Sequence, residues 1–261
     1  MAAKEIIKGM FRMYCVVPVN VFGIYAMYTL IQGHGYNGWW IGTLVGYVCM
    51  MMLGVAAGYH RLLSHKGYEV SRPVKLVLLW FAAVSGMGSP MFWVGVHRGI
   101  HHRYADTEKD LHSPIHGFWS SYMLWLFKTD FSKLNMRAIA DLFKDPDCMF
   151  FHKHYAKIFF LSHAAVAFIS FDFWLYTMAL PAFLTLHANG LNTSLNHYEC
   201  MGYKNYTVTD RSVNSIWLFP FIQGEAWHNN HHGDPRNPNY GHRRWWELDP
   251  TYYLIKLFKK R

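Results

Sequence analysis

Two uncharged runs near the start of the chain set its folding problem: Met13–Ile31, MYCVVPVNVFGIYAMYTLI, and Trp39–Tyr59, WWIGTLVGYVCMMMLGVAAGY. At 19 and 21 residues, each is long enough as a helix to cross roughly 30 Å of hydrocarbon. The short polar link Gln32–Gly38 makes them a hairpin whose outer ends share one side, and Trp39 and Trp40 sit where an aromatic belt belongs. Phe150–Phe171 and Phe173–Leu191 read as a second hairpin turning at Ser170-Phe171-Asp172, with His152, Lys153 and Lys157 at its entry. Between the pairs, Val74–Val96 contains Lys75 and is broken by Gly86-Met87-Gly88-Ser89-Pro90. That run reads as a helix lying in or dipping into the membrane, with a full span as the competing reading.

Composition agrees with a membrane protein that keeps substantial polar parts. Hydrophobic residues make up 52% and charged residues only 16%, against about 25% charged in soluble domains. Aromatics reach 18%, which excludes a disordered chain, a collagen and a coiled coil. All 25 Lys and Arg fall in residues 1–13, 60–157 and 198–261, so the two hairpin tips carry none. By the positive-inside rule both termini and every large loop face the cytoplasm. The net charge of +9 then suits anionic lipid or an acidic partner or headgroup, not nucleic acid, because no basic run stands apart from the apolar segments. Met1–Arg12 lacks the pattern of a removed signal peptide. Cys15, Cys49, Cys148 and Cys200 form no CxxC pair, which removes a disulfide framework and a thiolate zinc site. No repeat or linker divides the chain, so residues 1–261 read as one domain. The end, from Pro250 to Arg261, reads as a short interfacial amphipathic helix or a frayed basic tail.

Three short windows hold eight of the 17 histidines: His60-Arg-Leu-Leu-Ser-His65, His97-Arg-Gly-Ile-His101-His102 and His228-Asn-Asn-His231-His232. Chance placement would leave about one there. On an α-helix, positions i and i+4 share a face, so His97 with His101 and His228 with His232 are each expected to converge on one point. His102 and His231 then turn about 100° away toward a second point. His60 and His65 straddle the end of the second apolar helix. Clusters aimed in two nearby directions suit two metal ions, and imidazole suits Zn, Cu, Fe and Ni. His163 and His187 read as packed side chains, and His34 as solvated in the opposite loop. His112, His116, His152, His154 and His242 are open between lining the site and ordinary surface positions.

The order HxxxxH, HxxxHH, HxxHH resembles the membrane-bound fatty acyl desaturases. The flanks Gly224-Glu-Ala-Trp-His228 and Gly241-His-Arg-Arg-Trp-Trp-Glu247-Leu-Asp-Pro250, with His60-Arg61, resemble the stearoyl-CoA (Δ9) branch. The resemblance implies an all-α integral membrane fold: four transmembrane helices as two hairpins (13–59 and 150–191) under a cytosolic helical cap (60–149 and 192–261). It also implies a diiron site near the membrane face, with His197 as a ninth ligand. By analogy one iron takes His60, His65, His97, His102 and His231, and the other His101, His197, His228 and His232. Two departures stand out. Three residues, not two, separate His97 from His101, which bears on which iron His101 and His102 serve. Thr193 also stands where the family often has an Asn that holds an iron through water, with Asn192 and Asn196 as the available substitutes.

The activity implied is O2-dependent insertion of a cis double bond, Δ9 by the branch resemblance, into a long acyl chain. The chain would be linked to CoA, carrier protein or lipid, and electrons would come from a separate ferredoxin or b-type cytochrome with its reductase. Methylenes offer no hydrogen bonds, so position must be set by the length and bend of a tunnel. Phe92, Trp93, Trp80 and Phe81 are its expected walls, and Arg98 and Arg72 the expected contacts of an anionic headgroup. A diiron hydroxylase of alkanes, fatty acids or carotenoids shares the boxes and is the alternative. A haem-carrying subunit would pair histidines inside opposing spans, and a transporter would need polar residues there; neither pattern is present in the first two runs.

Overall fold

The computed structural model describes residues 14–33, 38–128 and 134–260. The basic residues Lys4, Lys8 and Arg12, and His34, lie outside that range. Among the described residues the chain is helical and contains no strand, only the isolated bridges Val70–Lys259, Tyr203–Asn214 and Asn214–Trp227.

The first apolar run forms α1 (Val16–Ile31), and the second forms α2, a single helix over Trp39–Ser64. With 26 residues α2 is long and apolar enough to cross a membrane. It outlasts the expected end at Tyr59 by five residues because Val48–Ser64 takes the wider π geometry, in which His65 N–H reaches back to the His60 carbonyl at 3.1 Å. The broken run Val74–Val96 becomes two helices, α3 (Arg72–Val84) and α4 (Pro90–Val96). Gly86 and Gly88 take φ of +79° and +90° between them, and Ser89 caps α4 by accepting from Phe92 N–H, with Pro90 at its first position. α3 runs back along α2, Leu78 against Gly58 and Ala82 against Gly54; α4 then returns to the level of His60, so the pair is a helical hairpin.

The second apolar pair begins earlier than the sequence suggests. α5 (Pro146–Lys153) is capped by Asp145 and breaks at His154 before α6 (Tyr155–Ile169). Ser170 alone separates α6 from α7 (Phe171–Trp174), which continues through a π turn at Leu175–Ala179 into α8 (Leu180–Leu195). His163 is packed as expected: it bonds the Val84 carbonyl at 2.9 Å and accepts from Trp174 Nε1 at 3.0 Å. His187 is held between Tyr122 Oη at 2.6 Å and Asn20 Oδ1 at 3.1 Å. Two short helices complete the polar half, α9 (Phe219–Ile222) and α10 (His228–Gly233). The tail forms α11 (Pro250–Phe258), capped by Asp249 and seated on α2 through Ile255, Ala57 and Tyr68.

Gly54 lets α2 and α3 touch: a Cβ there would stand 2.5 Å from the Ala82 nitrogen and 2.6 Å from the Phe81 carbonyl carbon. Backbone cannot yield as a side chain tip can. Gly54→Ala is therefore expected to push the helices apart and cost about 1–3 kcal/mol, read as a lowered midpoint in detergent thermal unfolding. An unchanged midpoint would show that the α2–α3 contact is loose.

Candidate metal centre

All three histidine windows lie at helix ends at one level of the molecule, and their rings are mostly buried. His60 and His65 close α2, His97–His101 form a π turn that continues α4, and His228–His232 lie on α10. The windows and His197 assemble two groups whose ligand atoms lie within 4.8 Å of one another. One group is His60, His65, His97, His102 and His231; the other is His101, His197, His228 and His232.

Half of the helical expectation is met. His228 and His232 converge, Nε2 to Nε2 at 3.1 Å. His97 and His101 do not: His97 faces His65 at 2.9 Å, and His101 faces His232 at 3.2 Å. The π turn is the reason. His102 N–H bonds the His97 carbonyl, an i to i+5 closure that brings His97 and His102 into one group and turns His101 outward to the other. The extra residue among Arg98, Gly99 and Ile100 is absorbed by this wide turn. His60 and His65 are related by the same i to i+5 closure.

Four carboxylates orient the rings, and none of them was picked out from the sequence. His60 Nδ1 donates to Glu225 at 2.6 Å, His101 Nδ1 to Asp110 at 3.0 Å, His197 Nδ1 to Asp106 at 2.8 Å and His232 Nδ1 to Asp210 at 2.9 Å. Glu225 three residues before His228 was within the quoted flank; the three aspartates come from loops with no local signature. Burial alone would raise the Asp110 carboxyl, but His101 and His112 outweigh it and hold the group well below the usual carboxylate range. Burial and a hydrogen bond from His232 compete in the same way at Asp210, which also ends low. Burial, reinforced by neighbouring imidazoles, drives His65, His97, His102, His228 and His231 far below their ordinary value, so these rings are neutral.

This chemistry fits bound metal. Rings that donate from Nδ1 to a carboxylate present a bare lone pair at Nε2. His101, His197 and His232 do so at one point together with His228, with Nε2 separations of 3.1–3.2 Å. His60, His231 and His102 meet at 3.1 and 2.8 Å in the other group. Facing lone pairs repel, and a shared cation is what makes such an arrangement favourable.

A cavity of about 860 Å3, its mouth included, opens from the histidines. His60, His97, His101 and His228 form one end, with Trp93, Trp125, Met51, Val55 and Leu186 along its sides. Trp93 stacks on His97, ring centroids 4.9 Å apart, and Phe92 also lines the space. Trp80 and Phe81 do not; Trp80 turns outward, donating to Ser162 at 3.2 Å, because α3 packs on α2 at Gly54 and Gly58, whereas Met51, Val55 and His60 of α2 line the cavity. Of the five open histidines only His112 lines this cavity. Asn192 and Thr193 reach it as well, but Thr193 Oγ1 donates to the Ser121 carbonyl, and Asn196 is fully buried, donating to Asn192 Oδ1 at 2.6 Å.

Both arginines are held by carboxylates of the protein, Arg98 inside it and Arg72 at its surface. Arg98 bonds the carbonyls of Leu63, Ser64 (2.9 Å) and Ala138 (2.8 Å) and pairs with Asp141 at 2.7 Å, which closes the end of α2 instead of leaving the guanidinium for a headgroup. Arg72 is 73% exposed and pairs with Asp147 at 2.9 Å.

Removing an orienting acceptor should loosen the metal without unfolding the chain. Asp110→Asn and Asp210→Asn are each expected to weaken metal binding about 10- to 100-fold, measured by competitive chelator titration of purified protein. Unchanged affinity in both would mean that the carboxylates do not tune the rings.

Residues 37–258 match the fatty acid desaturase family. The chain is 33% identical over 214 residues to delta-9 acyl-lipid desaturase 2 of Arabidopsis thaliana, covering 79% of this chain and 67% of that protein. It is 30% identical over 253 residues to the sn-2 palmitoyl-lipid 9-desaturase of Nostoc sp. (strain 36), covering 93% and 86%. It is 32% identical over 219 residues to the palmitoyl-monogalactosyldiacylglycerol delta-7 desaturase of Arabidopsis thaliana, covering 82% of this chain and 57% of that relative's length. With its histidine windows gathered into two metal-competent groups beside an apolar cavity, the chain belongs to the fatty acid desaturase family.

Proposed function

We propose that the protein introduces a cis double bond, at Δ9, into a long saturated acyl chain, using O2 and two electrons at a diiron site. The observation that carries this reading is the continuity between the two imidazole groups and an aromatic-walled apolar cavity. In this reading His60, His65, His97, His102 and His231 hold one iron, and His101, His197, His228 and His232 the other. Iron bound there with O2 supplies an oxidant strong enough for unactivated C–H bonds, which no side-chain acid or base provides. The protein's own part is positional. Glu225, Asp106, Asp110 and Asp210 hold ring orientation and tautomer, Trp93 presses on His97 and walls the chain's path, and Met51, Val55 and Leu186 exclude water from it. Asn192 is the polar group of α8 placed for a water-mediated role. Arg72, exposed at the mouth of α3, is the remaining charged contact for an anionic headgroup.

The substrate is proposed to be a lipid-linked acyl chain, as the names of the relatives suggest, and the electron donor a separate ferredoxin or b-type cytochrome. The protein is read as multi-pass, with α1 and α2 as one hairpin, α6 and the α7–α8 run as the other, and the histidine level with both termini cytoplasmic. A tag at residue 140 should report the cytoplasm and one in the 32–38 link the opposite side.

Expression in a desaturase-deficient host, with gas chromatography of total fatty acids, tests the reaction. The expected result is a new Δ9 monounsaturated acid, with about two Fe per chain in the purified protein. A hydroxylated product from iron-loaded protein would replace desaturation with hydroxylation. Trp93→Ala should change chain-length preference or double-bond position by enlarging the cavity beside His97; an active variant with an unchanged product profile would make Trp93 a packing residue only.

A further inference from the structure

Each turnover of the proposed reaction balances as –CH2–CH2– + O2 + 2 e⁻ + 2 H⁺ → –CH=CH– + 2 H2O, so two electrons must enter through the protein surface. One surface combines a means of attracting a carrier with a path inward. Arg243, Arg244 and Trp245 stand exposed in the segment after Tyr240, and the Trp245 side chain is 92% exposed. No ion pair among the described residues neutralises these arginines. Their neighbour Glu247 is buried and turned inward, accepting from Tyr203, Asn205 and Asn230. The guanidinium groups rest on rings: Arg243 lies 4.8 Å from the centroid of Tyr206, and Arg244, whose Nε donates to Asn205 Oδ1 at 2.8 Å, lies 4.1 Å from Tyr203 and 5.4 Å from Trp246.

Those rings lead to the histidines. Tyr203 and Trp246 are 5.4 Å apart between centroids, and Trp246 and Trp227 are 5.8 Å apart. Trp227 is 1% exposed and is peptide-bonded to His228, whose Nε2 lies 3.1 Å from those of His197 and His232. Trp245 is the most exposed tryptophan among the described residues, it stands beside two arginines with no ion pair, and Arg and Trp are enriched among the residues that dominate protein contacts.

We propose that Arg243, Arg244 and Trp245 form the docking surface of an acidic one-electron carrier protein, and that Trp246 and Trp227 carry its electrons to the His228 side of the centre. The proposal rests on the desaturase reading. Two reduced carriers are each oxidised by one electron per turnover, and O2 is the final acceptor. The positive charge raises the encounter rate with an acidic partner, and Trp245 supplies the apolar contact that holds it.

The test uses the full iron-loaded chain in nanodiscs, with a plant-type [2Fe–2S] ferredoxin and a soluble b-type cytochrome as separate probes. Arg243→Glu combined with Arg244→Glu should raise the Kd for one of these carriers on the order of tenfold at low salt, with the difference shrinking at high salt. The KM for that carrier should rise while kcat and the KM for acyl lipid stay unchanged. Trp245→Ser, which removes only an exposed side chain, should weaken the same carrier without changing iron content. Trp246→Leu should slow carrier reoxidation at unchanged Kd, and Trp246→Phe should restore most of the rate. Unchanged Kd for both carriers in the double and Trp245 variants overturns the proposal, as does weakened binding to anionic vesicles with carrier affinity intact, which would make the patch a membrane contact. Wild-type protein that binds carrier but yields no unsaturated product overturns the desaturase reading and leaves the docking surface standing.

Discussion

The structure depends on one constraint: bare Nε2 lone pairs held against one another out of water. The ring nitrogens stand 2.8–3.2 Å from one another, and a shared cation is what turns such close approach into a favourable contact. The carboxylates beside them, Asp106, Asp110, Asp210 and Glu225, are largely buried and are drawn toward ionisation by the histidines and by Arg61. Two divalent ions, as proposed, would balance those four negative charges, and Arg61 with Asp249 adds a balanced pair beside them. Burying charge is tolerable only in such balance. In the proposed site, metal affinity and fold stability would then be linked, as expected where ligands come from segments distant in sequence.

Helical geometry decides which ring serves which group, and this is where reading the sequence by α-helical period failed. The three windows and their order were legible, because histidine density is a local signal. The pairing of His97 was not, since it turns on whether the residues after α4 close i to i+4 or i to i+5. No residue in Arg98-Gly99-Ile100 announces a π turn; the turn follows from docking, with Gly99 lying against Ala138 and Arg98 reaching the end of α2. The five-and-four division drawn by family analogy matches the groups observed, because analogy carries tertiary information that periodicity lacks.

Arg61 shows the same limit. In the sequence it is one basic residue beside His60. In the fold it is fully buried, donating to Glu225 at 2.8 Å, to Asp249 at 2.7 Å and to the Pro238 carbonyl at 2.8 Å, with its guanidinium 4.0 Å from the Tyr240 ring centroid. It ties Glu225, and through it His60, to the loop that starts α11. Asp249 caps α11 with one carboxylate oxygen and accepts from Arg61 and Tyr240 N–H with the other. The tail, open in the sequence between helix and frayed end, is helical because its cap is fixed from the core. An isolated nine-residue helix would be marginal in water.

The cavity wall and the ring shell are a single layer, and this bears on how regiochemistry is stored. Trp93 stacks on His97 at 27° and lies 5.6 Å from His60, while its other edge lines the path of the chain. A polar anchor could fix a methylene only from the headgroup end, and tolerance would accumulate along every rotatable bond between. A wall in contact with the ligating rings fixes the chain where the reaction occurs. Relatives near 30% identity that share the family carry names specifying different positions, Δ7 and Δ9. Under the proposed reaction, side chains that touch both ring and cavity are the ones whose size would move the chain without removing a ligand. Trp93 has that property, whereas Trp80, turned out to Ser162, does not.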